Sequence, residues 1–251
     1  ADKHYQLAIQ YYEKALERNS EDAYWILQEM AWIAHKQEDM IRKLQYLDRM
    51  DHIHKDQPWV LYHYAKTYAQ LKEYDKGLYY CERCMKVEGE CIELLSLKAW
   101  MLAKLEKFQK AIDLLWKVKQ LGRVDAWLYN ELAWNYSELN KYKEAVHFYR
   151  KSIALEDGDA LTYSQLAWHE SALGNYGEAI KHLLKAIALG RKDGWVYANM
   201  GWNYVKQGDL GKALEYYRLA EDLNYEESWF VYQYEETKKQ YRREIEDGSK
   251  K

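Results

Sequence analysis

Ten of the eleven tryptophans fall at two positions of a 34-residue period. Trp25, Trp59, Trp127, Trp195 and Trp229 take the second position, and Trp32, Trp100, Trp134, Trp168 and Trp202 take the ninth. The seven residues between these positions make two helical turns, so paired indoles share one helix face about 10 Å apart along the axis. A chain that repeats one residue type this strictly is a row of near-identical helical elements with aromatics along one side.

Other landmarks keep the same step. Leu132-Ala133-Trp134 returns as Leu166-Ala167-Trp168 and as Met200-Gly201-Trp202, while Met30-Ala31-Trp32, Tyr64-Ala65-Lys66 and Lys98-Ala99-Trp100 continue the series upstream. Twelve residues beyond each small residue stands another: Gly77, Ala111, Ala145, Ala179 and Ala213. The first unit breaks this rule by placing Lys43 there. Units start at Tyr24, Pro58, Ile92, Ala126, Ala160 and Gly194. Within them apolar residues recur at helical intervals, as in Leu128, Leu132 and Tyr136, then Tyr142, Ala145, Val146 and Tyr149. The breaker pairs Asn140-Lys141, Gly174-Asn175 and Gly208-Asp209 separate two helices per unit. Gly122 and Gly190 close second helices, and Asp125, Asp159 and Asp193 cap the first helices that follow, their carboxylates accepting free first-turn N–H groups.

The pattern resembles the tetratricopeptide repeat family, whose signature sets aromatic, leucine, glycine and tyrosine on a first helix and alanine, aromatic and proline later. The unit from Ala126 fills these slots with Tyr129, Leu132, Ala133, Tyr136, Ala145 and Tyr149, and the unit from Gly194 with Tyr197, Met200, Gly201, Tyr204, Ala213 and Tyr217. The closing proline is missing. Its slot holds Lys55, Gly89, Arg123, Asp157, Arg191 and Tyr225, and the one proline, Pro58, opens a helix. The resemblance implies an all-α fold, a right-handed α-solenoid of antiparallel helix pairs. The expected organisation is the second helix of an incomplete repeat over 1–22, six units over 23–227, and a capping helix with a frayed tail over 228–251. Glu235 and Glu236 in that last helix replace the small residue and the tryptophan, giving it the polar outer face of a solenoid end.

Several functions are disfavoured. A net charge of −3 does not suit a surface that neutralises phosphates. No apolar run is long enough to span a bilayer and the N-terminus is not signal-like, which with three cysteines suggests a reducing, cytoplasmic setting. Cys81 and Cys84 have CxxC spacing, but they occupy core slots filled elsewhere by Leu115 and Val118 or by Tyr149 and Ser152, so buried free thiols are expected rather than a metal. No histidine cluster, phosphate loop or catalytic constellation is legible, and neither cofactor nor enzyme activity is expected.

In the family, first helices line a binding groove. Carried over, the lining comprises Trp25, Trp32, Trp59, Tyr62, Trp100, Trp127, Asn130, Trp134, Trp168, Trp195, Trp202 and Trp229, with His35, Lys66, Lys104 and Lys206 beside them. Packing of tryptophans on one another is the competing structural explanation for the stripe. The lysine and asparagine clamp by which some members grip a C-terminal carboxylate is absent, since the fifth position reads Gln28, Tyr62, Ser96, Asn130, Ser164 and Ala198. The expected function is non-catalytic binding of a peptide segment or helix of a protein partner. Single-stranded nucleic acid is the alternative, because aromatics can stack bases. The unmatched first helix also suggests a longer parent protein, with this chain as its regulatory or sensor region and the upstream part as a candidate partner. Leu7, Ala8, Tyr11 and Tyr12 would then form an uncovered face able to mediate self-association.

Overall fold

A computed structural model describes residues 2–18, 22–156 and 158–248. Among the described residues it contains fourteen α-helices and no strand, as the all-α expectation requires. The chain divides into two compact units, Ala1–Arg123 and Val124–Lys251. The first holds α1 (Asp2–Glu17), α2 (Ala23–Lys36), α3 (Met40–Ile53), α4 (Pro58–Gln70), α5 (Tyr74–Glu88), α6 (Ile92–Lys104) and α7 (Phe108–Gln120). The second holds α8 (Ala126–Glu138), α9 (Tyr142–Leu155), α10 (Ala160–Ala172), α11 (Tyr176–Ala188), α12 (Gly194–Gln207), α13 (Leu210–Asp222) and α14 (Ser228–Gly248). Helix α14 runs through Gly248. The remaining tail residues and Asp157 lie outside the described residues.

In each unit consecutive helices pack as pairs: α2 on α3, α4 on α5 and α6 on α7, then α8 on α9, α10 on α11 and α12 on α13. Capping sets where the first helices of the second unit begin. The carboxylates of Asp125, Asp159 and Asp193 accept from the N–H groups of Leu128, Thr162 and Val196 at 2.8, 2.7 and 2.9 Å. The turn inside each pair uses a left-handed residue at one equivalent place, occupied by Glu38, Lys72, Glu106, Asn140, Gly174 and Gly208. Only the last three carry residue types that favour this backbone.

The apolar stripes meet between helices. Leu27, Met30, Ala31, Ala34, Leu47 and Met50 form one buried cluster of the first unit, and Ala167, Ala179, Leu183, Val196 and Met200 form one of the second. Complete burial of a leucine or methionine side chain stabilises by about 1.5–3 kcal/mol. Small residues set the closest approaches. A Cβ added at Gly201 would lie 2.3 Å from the Tyr217 ring, and one at Gly77 would lie 2.6 Å from Met101 Sδ. Lys43, in the slot that is otherwise small, is nevertheless buried, with 3% of its surface exposed.

Candidate functional site: an indole cleft

In the second unit the repeat period brings α10, α12 and α14, all first helices, to one side. The ninth position of α10, the second and ninth of α12 and the second of α14 converge on a cleft of about 390 Å³ lined by Trp168, Trp195, Trp202 and Trp229, with Asn199 and Gln233 as its polar groups. A neighbouring depression of about 330 Å³ shares Trp168, Trp202 and Asn199 and adds Ser171, Ala172, Tyr176 and Lys206. The cleft's volume lies in the range of ligand-binding pockets.

The four indoles are held from outside. Trp168 meets the Tyr142 ring edge-on at 5.4 Å and His169 at 4.8 Å, while Trp229 meets Tyr225 at 6.3 Å. Lys206 Nζ stands 4.3 Å from the Trp202 centroid, and the Arg191 guanidinium 4.9 Å from that of Trp195. No two of these four rings pair with each other among the described residues, so mutual tryptophan stacking does not account for this stretch. Trp168 and Trp229 are exposed, and Trp195 and Trp202 are half-buried. Asn199 Nδ2 donates to the Trp195 carbonyl at 2.8 Å, which fixes the amide and leaves its oxygen able to accept from a ligand.

The other stripe residues have different surroundings. In the first unit Trp25 and Trp32 are exposed and meet Tyr12 and Tyr5 edge-on at 6.2 and 6.3 Å. Trp59 lies tilted on His63 with centroids 3.9 Å apart, Tyr62 meets the same imidazole at 5.6 Å, and Trp100 packs against Tyr74 at 5.8 Å under Lys104. On α8, Trp127 and Trp134 are half-buried and do not line the cleft, and Asn130 Oδ1 is buried without a hydrogen-bond partner. On α1, Leu7 and Tyr11 are exposed, but Tyr12 packs into the core cluster of α2 and α3, so the uncovered face is narrower than the helical pattern suggests. Asn199 and Gln233 escape sequence reasoning. Their only signal is their place one turn after Trp195 and Trp229.

Cys81 and Cys84 are buried free thiols, and Cys91 is a half-buried one. Cys81 Sγ donates to the Leu94 carbonyl at 3.4 Å and Cys84 Sγ to the Pro58 carbonyl at 3.3 Å. Ser152 Oγ makes the second contact at the equivalent place of its own unit, to Ala126 at 3.1 Å. The CxxC pair thus does hydrogen-bonding and packing duty that a serine fills elsewhere. Burial pushes the two thiols up, to about 12 and about 11. Among the described residues no group of three or more His, Cys, Asp or Glu side chains gathers to hold a metal, and no helix is long and apolar enough to cross a membrane.

Paired helices, small residues at the crossings and aromatic first-helix faces define a helical-repeat protein of the solenoid class. The chain carries tetratricopeptide repeats: residues 2–22, 126–155 and 158–226 match models of the tetratricopeptide repeat. Among solved structures, YrrB, described as a TPR protein with an unusual peptide-binding site, is similar over 74% of this chain and 96% of its own, at 16% identity and a TM-score of 0.65. A tetratricopeptide repeat protein from Parabacteroides merdae is similar over 94% of this chain and 99% of its own, at 15% identity and a TM-score of 0.61. MamA from Desulfovibrio magneticus covers 68% of this chain and 96% of its own, at 18% identity and a TM-score of 0.63. At these identities the likeness is one of fold. No curated protein sequence matches the chain significantly.

Proposed function

We propose that this protein is a non-catalytic interaction module that binds a peptide segment of a partner protein, with the indole cleft of α10, α12 and α14 as its centre. One observation carries the reading: four partly exposed indoles surround an uncharged cleft whose polar groups are two side-chain amides. Apolar walls with a few oriented amides suit an extended peptide, the walls taking an apolar side chain and Asn199 and Gln233 pairing with its backbone. Buried tryptophan contacts are common energetic centres of protein recognition. The structural relative YrrB has a peptide-binding site, and its resemblance in fold supports the same class of ligand here.

Nucleic acid fits less well. Lys206 is the one cation lining the two depressions, and the chain's net charge is −3. A stacking site for single strands combines aromatics with a basic track for the backbone.

The test is a selection of displayed random peptides on the whole chain, followed by titration of each selected peptide against the parent and Trp202→Ala. Enrichment of apolar side chains is expected, and the variant should bind more weakly by about 2 kcal/mol while unfolding as cooperatively as the parent. Equal binding by the variant, or displacement of the peptide by a single-stranded oligonucleotide, would remove the cleft from this role.

A further inference from the structure

The first unit contains a second and chemically different site. A small cavity of about 50 Å³ opens between α2, α3 and α4, lined by Ala31, Trp32, His35, Lys43, Trp59, His63 and Lys66. Its floor is unusual. Lys43 stands where the other units carry alanine or glycine, its side chain is buried, and among the described residues no carboxylate or carbonyl pairs with its ammonium. His35 Nδ1 and His63 Nδ1 are also buried there without hydrogen-bond partners. Buried cations and ring nitrogens ordinarily have partners, because each unmet group forfeits its hydration.

The charged surroundings give the site its sign. From α2 and the turn after it come His35, Lys36 and Glu38, from α3 comes Lys43, and from α4 come His63 and Lys66. Three ammonium groups face one carboxylate, and that carboxylate, Glu38, is exposed. Two lysines on the wall repel a metal cation, which leaves an anion as the missing partner. We propose that this cavity is a carboxylate-binding site, in which Lys43 and Lys66 pair with a carboxylate of a partner polypeptide, His35 and His63 hydrogen-bond it, and Trp32 and Trp59 enclose its aliphatic stem.

A void of about 50 Å³ has room for a planar carboxylate group, and the larger tetrahedral phosphate is the control for that fit. The arrangement differs from a clamp built on first helices alone, because its deepest cation projects from a second helix. Burial, and then Lys66, draws the Lys43 ammonium down to about 8. Burial, then Lys43 and Lys66, lowers both imidazoles, His63 to about 4. An anion seated among them relieves all three, which is the energetic reason for it to bind. The peptide-module reading supplies only the source of the carboxylate, and the pocket is testable without it.

The experiment titrates acetate into the whole chain at pH 7 while the ring ¹⁵N signals of His35 and His63 are followed by NMR, with acetamide and inorganic phosphate as separate arms. Acetate should shift both imidazoles saturably, acetamide should not, and phosphate should bind at least tenfold more weakly than acetate. Lys43→Met, which keeps the volume and removes the charge, should lose at least tenfold in acetate affinity; Lys66→Met serves the same comparison should that variant fail to fold. Acetyl-Ala-Ala-Ala with a free C-terminus and acetyl-Ala-Asp-Ala-amide then distinguish a terminal carboxylate from an acidic side chain. An unsaturable acetate response, an equal response to acetamide, tighter binding of phosphate, or unchanged acetate binding in both variants overturns the assignment.

Discussion

Arg123 Nη1 donates to Ser96 Oγ at 3.2 Å, from the slot where the family signature places its closing proline to the fifth position of the same unit. The second unit repeats the arrangement with Arg191 and Ser164. Where Tyr225 fills the slot, its side chain instead covers Gly194, at which an added Cβ would lie 2.5 Å from Tyr225 Cβ and 3.0 Å from the ring. At these three slots the absent proline is thus replaced by side chains that tie the end of one helix pair to its own first helix. This substitution also reaches the candidate site, because Arg191 pairs with Asp193 at 2.9 Å and lies over the Trp195 ring.

Arg191→Ala should therefore lower stability by about 1–2 kcal/mol, the worth of a charged hydrogen bond plus a cation–π contact on a half-buried side chain. Arg191→Lys should recover only part of this, since an ammonium cannot span Ser164, Asp193 and Trp195 at once. Urea unfolding of both variants beside the parent checks the expectation, and full recovery by lysine would show that the fork geometry is irrelevant.

The turn residues give a prediction with opposite signs at equivalent places. Glu106 holds φ 58° and Gly174 holds φ 82°, and a Cβ at Gly174 would meet nothing within 4 Å. Glu106→Gly should raise stability by about 0.5–1 kcal/mol through relief of the left-handed backbone, and Gly174→Ala should lower it by about 1 kcal/mol. Thermal unfolding of the pair measures both.

Stability should fall between pH 6.5 and 4. His63 titrates at 6.5 when unfolded and at about 4 when buried beside Lys43 and Lys66, so the unfolded chain takes up a proton that the folded chain refuses. The loss begins as pH drops below 6.5, levels off below 4, and amounts to about 2 kcal/mol once partial solvent access is allowed for. Lys43 works the other way along the scale. Its folded value of about 8 against 10.5 means that its penalty is complete below pH 8 and is relieved as pH rises towards 10.5. Lys43→Met should accordingly stabilise the protein at pH 7 by about 2 kcal/mol, and the gain should shrink above pH 9. Parallel denaturant titrations across this range test both slopes.

Cys81 and Cys84 should resist a disulfide reagent at pH 8 in the folded protein, because burial raises both thiols well above that pH. Three thiols should react once the chain is denatured. Fast labelling of either residue in the native state would contradict its place in the core.

The sequence by itself determined the helix pairs, because apolar spacing, aspartate caps and small residues are local and recur in phase. It could not place the turns at Glu38, Lys72 and Glu106, whose residue types oppose the left-handed backbone that packing of the flanking helices imposes there. Nor could it choose among ten equivalent tryptophans. Whether an indole borders a cleft depends on the rings and cations of the helices beside it, and that environment differs around Trp202 and Trp134 although their positions in the period are the same. Lys43 shows the division most plainly. The repeat marks it as the exception to a small-residue rule, but only tertiary packing brings His35 of α2 and His63 and Lys66 of α4 around the same cavity as Lys43 of α3, since no local spacing relates the three helices.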